Sequence, residues 1–217
     1  MMHYSVQNLI NLKNKIKETS QSYNAIKIIA VSKTFSIEKI TPLIDHGHLD
    51  FGENKVQEAL EKWSDIKNKN DTIKLHLIGK LQTNKVKFAV KLFDYIHSLD
   101  SLKLAKKIAE EQLKQSKKVK LFIQVNQANE AQKSGVQLEK LDELYQYALS
   151  LNLNIIGLMC IPPSLDNPDV YFKKLKLLNE KLGLNELSMG MSADFIKAIE
   201  NKATYIRIGS NIFGTRS

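Results

Sequence analysis

The sequence predicts an α/β fold, a single (β/α)8 barrel. Two observations point to it: short apolar, β-branched runs alternate with amphipathic stretches along the whole chain, and the runs number eight. The strand candidates are residues 27–34, 49–54, 74–79, 95–99, 118–126, 154–161, 186–191 and 205–209. Runs such as Ile28-Ile29-Ala30-Val31 are apolar on successive residues, as expected where a parallel strand is covered on both faces. Periodicity alone leaves a doubly wound open sheet as the rival, and closure into a barrel is the natural solution for eight units.

Helical patterns fill the intervals. Leu138, Leu141, Leu144, Tyr145, Ala148 and Leu149 form one stripe, and Leu104, Ala105, Ile108, Ala109 and Leu113 form another behind an N-cap at Asp100-Ser101. Asn167-Pro168-Asp169 places proline at the first position of a helix that continues through Phe172, Leu175, Leu178 and Leu182. An extra N-terminal helix spans Tyr4–Thr19. No linker or low-complexity segment divides the chain, so one domain over residues 1–217 is expected.

Composition narrows the function. The net charge of +9 comes from 30 lysines and only two arginines, Arg207 and Arg216. Lysines scattered along helical segments describe a solvated surface rather than a nucleic-acid footprint. One cysteine, Cys160, no secretory signal and no apolar run long enough to span a bilayer together indicate a reducing cytoplasm. Walker A and G-x-G-x-x-G sequences are absent, which argues against nucleotide binding. His46-Gly47-His48 reads as a polar turn rather than a metal pair, and Cys160 as a small buried hydrophobe.

In a barrel of this kind, chemistry belongs at the carboxyl ends of the strands. Lys33 ends the first strand after an apolar run, where desolvation favours the neutral, nucleophilic amine, although a lysine reaching for water fits the position equally well. Ser192 is expected to open a helix after the seventh strand, and Gly209-Ser210-Asn211 follows the eighth; both are places where N–H groups meet phosphate. Gly52, Gly79, Gly157, Gly190 and Gly209 lie in or just after strands, where they permit close approach of a ligand or simply tight packing. An amine beside a phosphate cradle and an arginine suggests an aldehyde-bearing phosphate ligand.

These residues resemble the YggS/PROSC family of pyridoxal phosphate homeostasis proteins. The resemblance runs from Ile29-Ala30-Val31-Ser32-Lys33 to Phe213-Gly214-Thr215-Arg216. Its most distinctive segment is His76-Leu77-Ile78-Gly79-Lys80-Leu81-Gln82-Thr83-Asn84-Lys85, with Leu75 in place of the usual aromatic residue. Phe51-Gly52-Glu53-Asn54, Leu187-Ser188-Met189-Gly190-Met191-Ser192 and Arg207-Ile208-Gly209 add to it. The family is similar to the barrel domain of alanine racemase, so the resemblance implies a fold type III-like barrel that carries pyridoxal 5′-phosphate as a Schiff base on Lys33. It further implies that Ser192, Gly209 and Ser210 hold the phosphate, that Arg207 faces the pyridine nitrogen and that Asn54 lies near the ring. His76, Gln82 and Asn84 belong to the signature without an assigned role beyond closing the barrel mouth.

The implied role is a cytoplasmic, monomeric coenzyme carrier with PLP-dependent apo-enzymes as acceptors, and without metal, membrane or specific nucleic-acid partners. An arginine keeps its proton and leaves the ring nitrogen unprotonated, which makes the ring a weak electron sink. A chain ending at Ser217 is expected to lack the further domain that supplies a second base in racemases. The competing readings are a weak PLP-dependent amino acid racemase, a cofactor-free class I aldolase using Lys33, and a basic RNA-binding protein.

Overall fold

Eight parallel strands close on themselves in the computed structural model, which describes residues 2–21, 23–130 and 134–214. They are β1 (Lys27–Val31), β2 (Asp50–Glu53), β3 (Lys74–Leu77), β4 (Tyr95–Leu99), β5 (Lys120–Gln124), β6 (Asn154–Met159), β7 (Glu186–Met191) and β8 (Tyr205–Ile208). The pairing that excludes an open sheet is β1 with β8, in the register Lys27 to Tyr205, Ile29 to Arg207 and Ala30 to Ile208. Several expected strands ran too far at their carboxyl ends. There the chain leaves the ladder to build the mouth of the barrel, as at Thr34, which turns with φ 67°.

Seven helices lie between the strands: α2 (Ile37–Asp45), α3 (Val56–Lys69), α4 (Val86–Leu92), α5 (Leu102–Gln115), α6 (Leu141–Ser150), α7 (Pro168–Lys181) and α8 (Phe195–Glu200). The caps follow from local chemistry. Ser101 accepts the Leu104 N–H at the start of α5, and Asn167 accepts the Asp169 N–H beside Pro168 at the start of α7. The apolar stripes cover the barrel, except that Leu113 and Leu149 face solvent. His46 ends α2 and Gly47 turns with φ 82°, so the polar-turn reading holds; His48 nonetheless folds inward and is buried.

The N-terminal helix α1 (Tyr4–Thr19) buries Leu9, Leu12 and Ile16 and ties the start of the chain to its far end. Asn8 Nδ2 donates to the Ile212 carbonyl at 3.1 Å, and Tyr4 donates its hydroxyl to the Phe213 carbonyl at 3.3 Å. Both acceptors belong to the short helix α9 (Ser210–Phe213), which follows β8 directly. Among the described residues no helix is long and apolar enough to cross a membrane.

The barrel interior is filled rather than hollow. Ile29, Tyr95, Phe122, Met159 and Tyr205 pack together, with His76 stacked on Tyr95 and His97 stacked on Phe122, each at 4.3 Å between ring centroids. At the amino end, the Lys27 ammonium donates to the Tyr205 hydroxyl at 2.8 Å, and the Lys120 ammonium sits 5.3 Å from the Tyr95 ring centroid.

The histidines at this end make the fold acid-sensitive. His48, whose Nε2–H donates to the Asp50 carbonyl, is lowered by burial to about 4 from an ordinary 6.5. A depressed imidazole contributes stability that is full above pH 6.5 and is lost as the pH falls toward 4, because the unfolded chain takes the proton first. For His48 the loss amounts to about 3 kcal/mol. Urea titrations between pH 7 and 4 should show this decline, and His48→Gln, which retains an N–H donor, should flatten it.

Candidate functional site

Lys33, Asn54, Ser192, Arg207, Gly209 and Ser210 all line one cavity of about 550 Å3 at the carboxyl ends of the strands. Val31, Phe35, Ile78, Ile161 and Met191 complete much of its apolar wall. The sequence thus brought six residues from four separate segments to one place. A smaller recess of about 240 Å3 adjoins it, sharing Asn54, Ile78 and Ile161 and adding Gln124 and Asn126. A larger cavity, about 910 Å3, lies elsewhere, between α3, α4 and the end of α5. Lys67, Lys87, Lys91 and Lys117 line it together with Phe88, so lysines scattered in sequence do converge locally. It lies away from the carboxyl ends of the strands, so the mouth cavity, where Lys33 and Arg207 converge, is the candidate site.

Lys33 sits half-buried in a turn gripped from behind. Ser32 donates its hydroxyl to Glu53 Oε1 at 2.7 Å, Lys62 donates to the Ser32 carbonyl at 3.0 Å, and the Thr34 N–H donates to Glu58 Oε1 at 2.6 Å. Glu53, at the end of β2, is fully buried, and its Oε1 also accepts from the Trp63 indole at 2.9 Å and from Lys62 at 3.0 Å. A buried carboxylate needs such donors. The backbone on either side of Lys33 is therefore fixed by side chains of β2 and α3.

The phosphate-binding candidates lie on the neighbouring ends of β7 and β8. Ser192 does not open α8. Its helix starts at Phe195, because Asp194 accepts the Met191 N–H at 2.6 Å on its side chain and closes a turn over residues 191–194. Ser192 rides on that turn, and its carbonyl accepts from Asn211 Nδ2 at 3.1 Å, which joins the two strand ends. Gly209 caps α9, so the Ser210 and Asn211 amides belong to a first helical turn and have no intrahelical acceptor. A side chain at Gly209 would meet Val31 no closer than 3.6 Å, so packing does not demand glycine there. Gly79 differs: a Cβ would lie 2.3 Å from the Asn54 carbonyl oxygen, and that close strand contact explains the glycine without a ligand.

Arg207 is almost fully buried beside the cavity, where Nη1 donates to Ser188 Oγ at 2.8 Å and Nη2 to the Cys160 carbonyl at 2.9 Å. Burial lowers its pKa from the ordinary value, yet a guanidinium keeps its proton at ordinary pH. Cys160 is also buried, which pushes its thiol up to about 12 and leaves it a small apolar side chain. His76 does not close the mouth: it lies inside the barrel, fully buried, while Gln82 and Asn84 are exposed after β3, Asn84 within a single 3-10 turn (Thr83–Lys85) that Gln82 precedes. Thr215 and Arg216, at the end of the family match, lie outside the described residues.

The chain matches the family described as Alanine racemase, N-terminal domain, over residues 7–217. It is 40% identical to the pyridoxal phosphate homeostasis protein of Aquifex aeolicus, covering 96% of this chain and 95% of the relative. The chain belongs to the pyridoxal phosphate homeostasis family. The structure of PipY from Synechococcus elongatus with PLP bound superposes with a TM-score of 0.86 at 33% identity, covering 97% of this chain and all of PipY. Alanine racemase of Clostridium difficile shares the fold, with a TM-score of 0.72 at 17% identity over 57% of that enzyme and 98% of this chain.

Sequence reasoning missed the Glu53 cluster and three inward-facing polar residues, Asp50, His97 and Ser188. Spacing along a single strand carries no clear signal for them: β7 is irregular between Ser188 and Met191, and Asn54 lies beyond the end of β2. Lys62→Met should leave the Glu53 charge without its ammonium and cost about 3–5 kcal/mol in urea denaturation. Adding Glu53→Gln to that variant should recover a large part of the loss.

Proposed function

We propose that this chain holds pyridoxal 5′-phosphate in the mouth cavity and serves intracellular homeostasis of the coenzyme as a carrier rather than a catalyst. One observation carries the reading: an amine, a buried guanidinium, and the amide- and hydroxyl-bearing ends of β7 and β8 line a single cavity. These are the groups that a phosphorylated pyridine aldehyde needs. The PLP bound in PipY and the names of the curated relatives support the same assignment.

In this reading Lys33 supplies the amine that captures the aldehyde covalently and reversibly. Ser192 and Ser210 offer hydroxyls, and Gly209 lets the backbone approach the phosphate where α9 begins. Arg207 donates to the ring nitrogen and retains its own proton, and Asn54 flanks the ring. When bound, the coenzyme supplies an electrophilic aldehyde and a ring able to accept electron density. Arg207 limits that second property, because a donor that keeps its proton leaves the ring neutral. Among the described residues lining the cavity, Lys33 and Arg207 are the titratable ones; no imidazole, carboxylate or phenol joins them. Racemisation calls for proton transfer on both faces of a substrate, so the lining favours retention and release.

We assign the carrier as a monomer, with release to PLP-dependent apo-enzymes as its use. The one cysteine is buried and unpaired, in keeping with a reducing cytoplasm.

Incubation with pyridoxal 5′-phosphate should turn the purified protein yellow, and borohydride reduction followed by peptide mapping should place the pyridoxyl group on Lys33. Lys33→Ala should abolish the adduct. A pyridoxyl group on another lysine, or equal retention by Lys33→Ala, would overturn the assignment, and steady conversion of L-alanine to its D form would restore the racemase reading.

A further inference from the structure

Arg207 is braced by more than its two direct partners. Its Nη1 donates to Ser188 Oγ at 2.8 Å, Ser188 Oγ lies 2.8 Å from His97 Nδ1, His97 Nε2 lies 3.0 Å from His76 Nδ1, and His76 Nε2 lies 2.9 Å from Asp50 Oδ1. The chain of bonds begins beside the mouth cavity and ends at the first residue of β2, at the opposite end of the barrel. Ser188, His97 and His76 are 0% exposed, whereas the Asp50 side chain is 23% exposed. Barrel interiors of this kind are ordinarily filled with branched apolar side chains, and polar groups survive there only when each finds a partner.

The chemistry of the two ends fixes the proton on every link. A guanidinium only donates and an ionised carboxylate only accepts. Burial favours neutral rings at His76 and His97. Counting from the carboxylate, which takes the His76 Nε2–H, leaves His97 Nδ1 bare to receive the Ser188 hydroxyl proton while Ser188 accepts from Arg207. His97 then carries its proton on Nε2 and donates it to His76 Nδ1. His76 in turn donates its Nε2–H to Asp50. Four links take four protons, and both rings are neutral with the same tautomer. Bonds aligned in one sense polarise one another, and the guanidinium's two direct partners are a neutral hydroxyl and a neutral carbonyl. The far carboxylate is the relay's negative end. Neighbouring strands contribute Lys27, Lys120, Tyr95 and Tyr205 around that end.

We propose that Asp50, His76, His97 and Ser188 form a one-way relay that positions the Arg207 guanidinium from the far end of the barrel, with Ser188 and His97 as its immediate positioning residues. Its effect on ligand binding rests on the reading above that Arg207 faces the coenzyme ring.

Imidazole 15N NMR of the unloaded protein tests the relay without the coenzyme. At neutral pH, His76 and His97 should both show a protonated Nε2 and a bare Nδ1. Asp50→Ala should shift the nitrogens of both rings. An Nδ1–H form at either ring, or an Asp50→Ala perturbation that stops at His76, would overturn the relay. Asp50 lies at a partly exposed strand end, so this variant keeps the test open if Ser188→Ala does not fold. With pyridoxal 5′-phosphate as the probe, Ser188→Ala should bind about tenfold more weakly and with a displaced absorption band, and Ser188→Thr should restore both. Unchanged affinity and band in folded Ser188→Ala would refute positioning. If the wild-type protein takes up no coenzyme, the proposed function fails, and the NMR result still decides the relay.

Discussion

Closure of eight parallel strands forces every second side chain of each strand into a space with no solvent and no outlet. Whatever points inward must either be apolar or find a partner within the same ring of neighbours. Here the lower interior is filled largely by Ile29, Tyr95, Phe122 and Tyr205. Four further inward residues, His76, His97, Ser188 and Arg207, are bonded to one another in sequence. The mouth cavity inherits its floor from that arrangement. Arg207 can stand buried beside the cavity because polar neighbours receive its N–H groups.

The rim is built by a different logic. Lys33 lies just beyond a strand, in a turn where the backbone would otherwise be free to wander. The Ser32 hydroxyl and the Thr34 amide are each taken by a carboxylate, Glu53 and Glu58, and Lys62 bridges the two acids. On the adjoining side of the rim, Asn211 bonds the Ser192 carbonyl, while α1 anchors α9 through Asn8 and Tyr4. The extra N-terminal helix therefore has a structural use: it pins the short helix that begins with Ser210.

Much of this was legible in the sequence. Alternation gave the strands, and Ser101 and Pro168 marked helix starts because capping is a local matter of side chain meeting backbone. The six cavity residues were legible because strand ends in a barrel share one face. The failures have equally physical causes. Ser192 resembled an N-cap, but Asp194, two residues later, captured the Met191 amide and delayed the helix. The stripe residues Leu113 and Leu149 lie at the margins of their helices, where periodicity runs on after burial has stopped. Asp50, His97 and Ser188 went unread because a lone polar residue in a strand has no local signature. Their pairing depends on barrel shear, which brings distant strands to the same height and which spacing along one strand does not reveal.

The packed tyrosines and the two lysines at the amino end have a consequence for traffic. A barrel stoppered at its base offers a single doorway. In the proposed carrier role, whatever enters the cavity leaves by the rim it crossed on arrival, and any recipient approaches that same opening. Loading and handover then compete for one threshold, so occupancy itself excludes a second visitor until the first has gone.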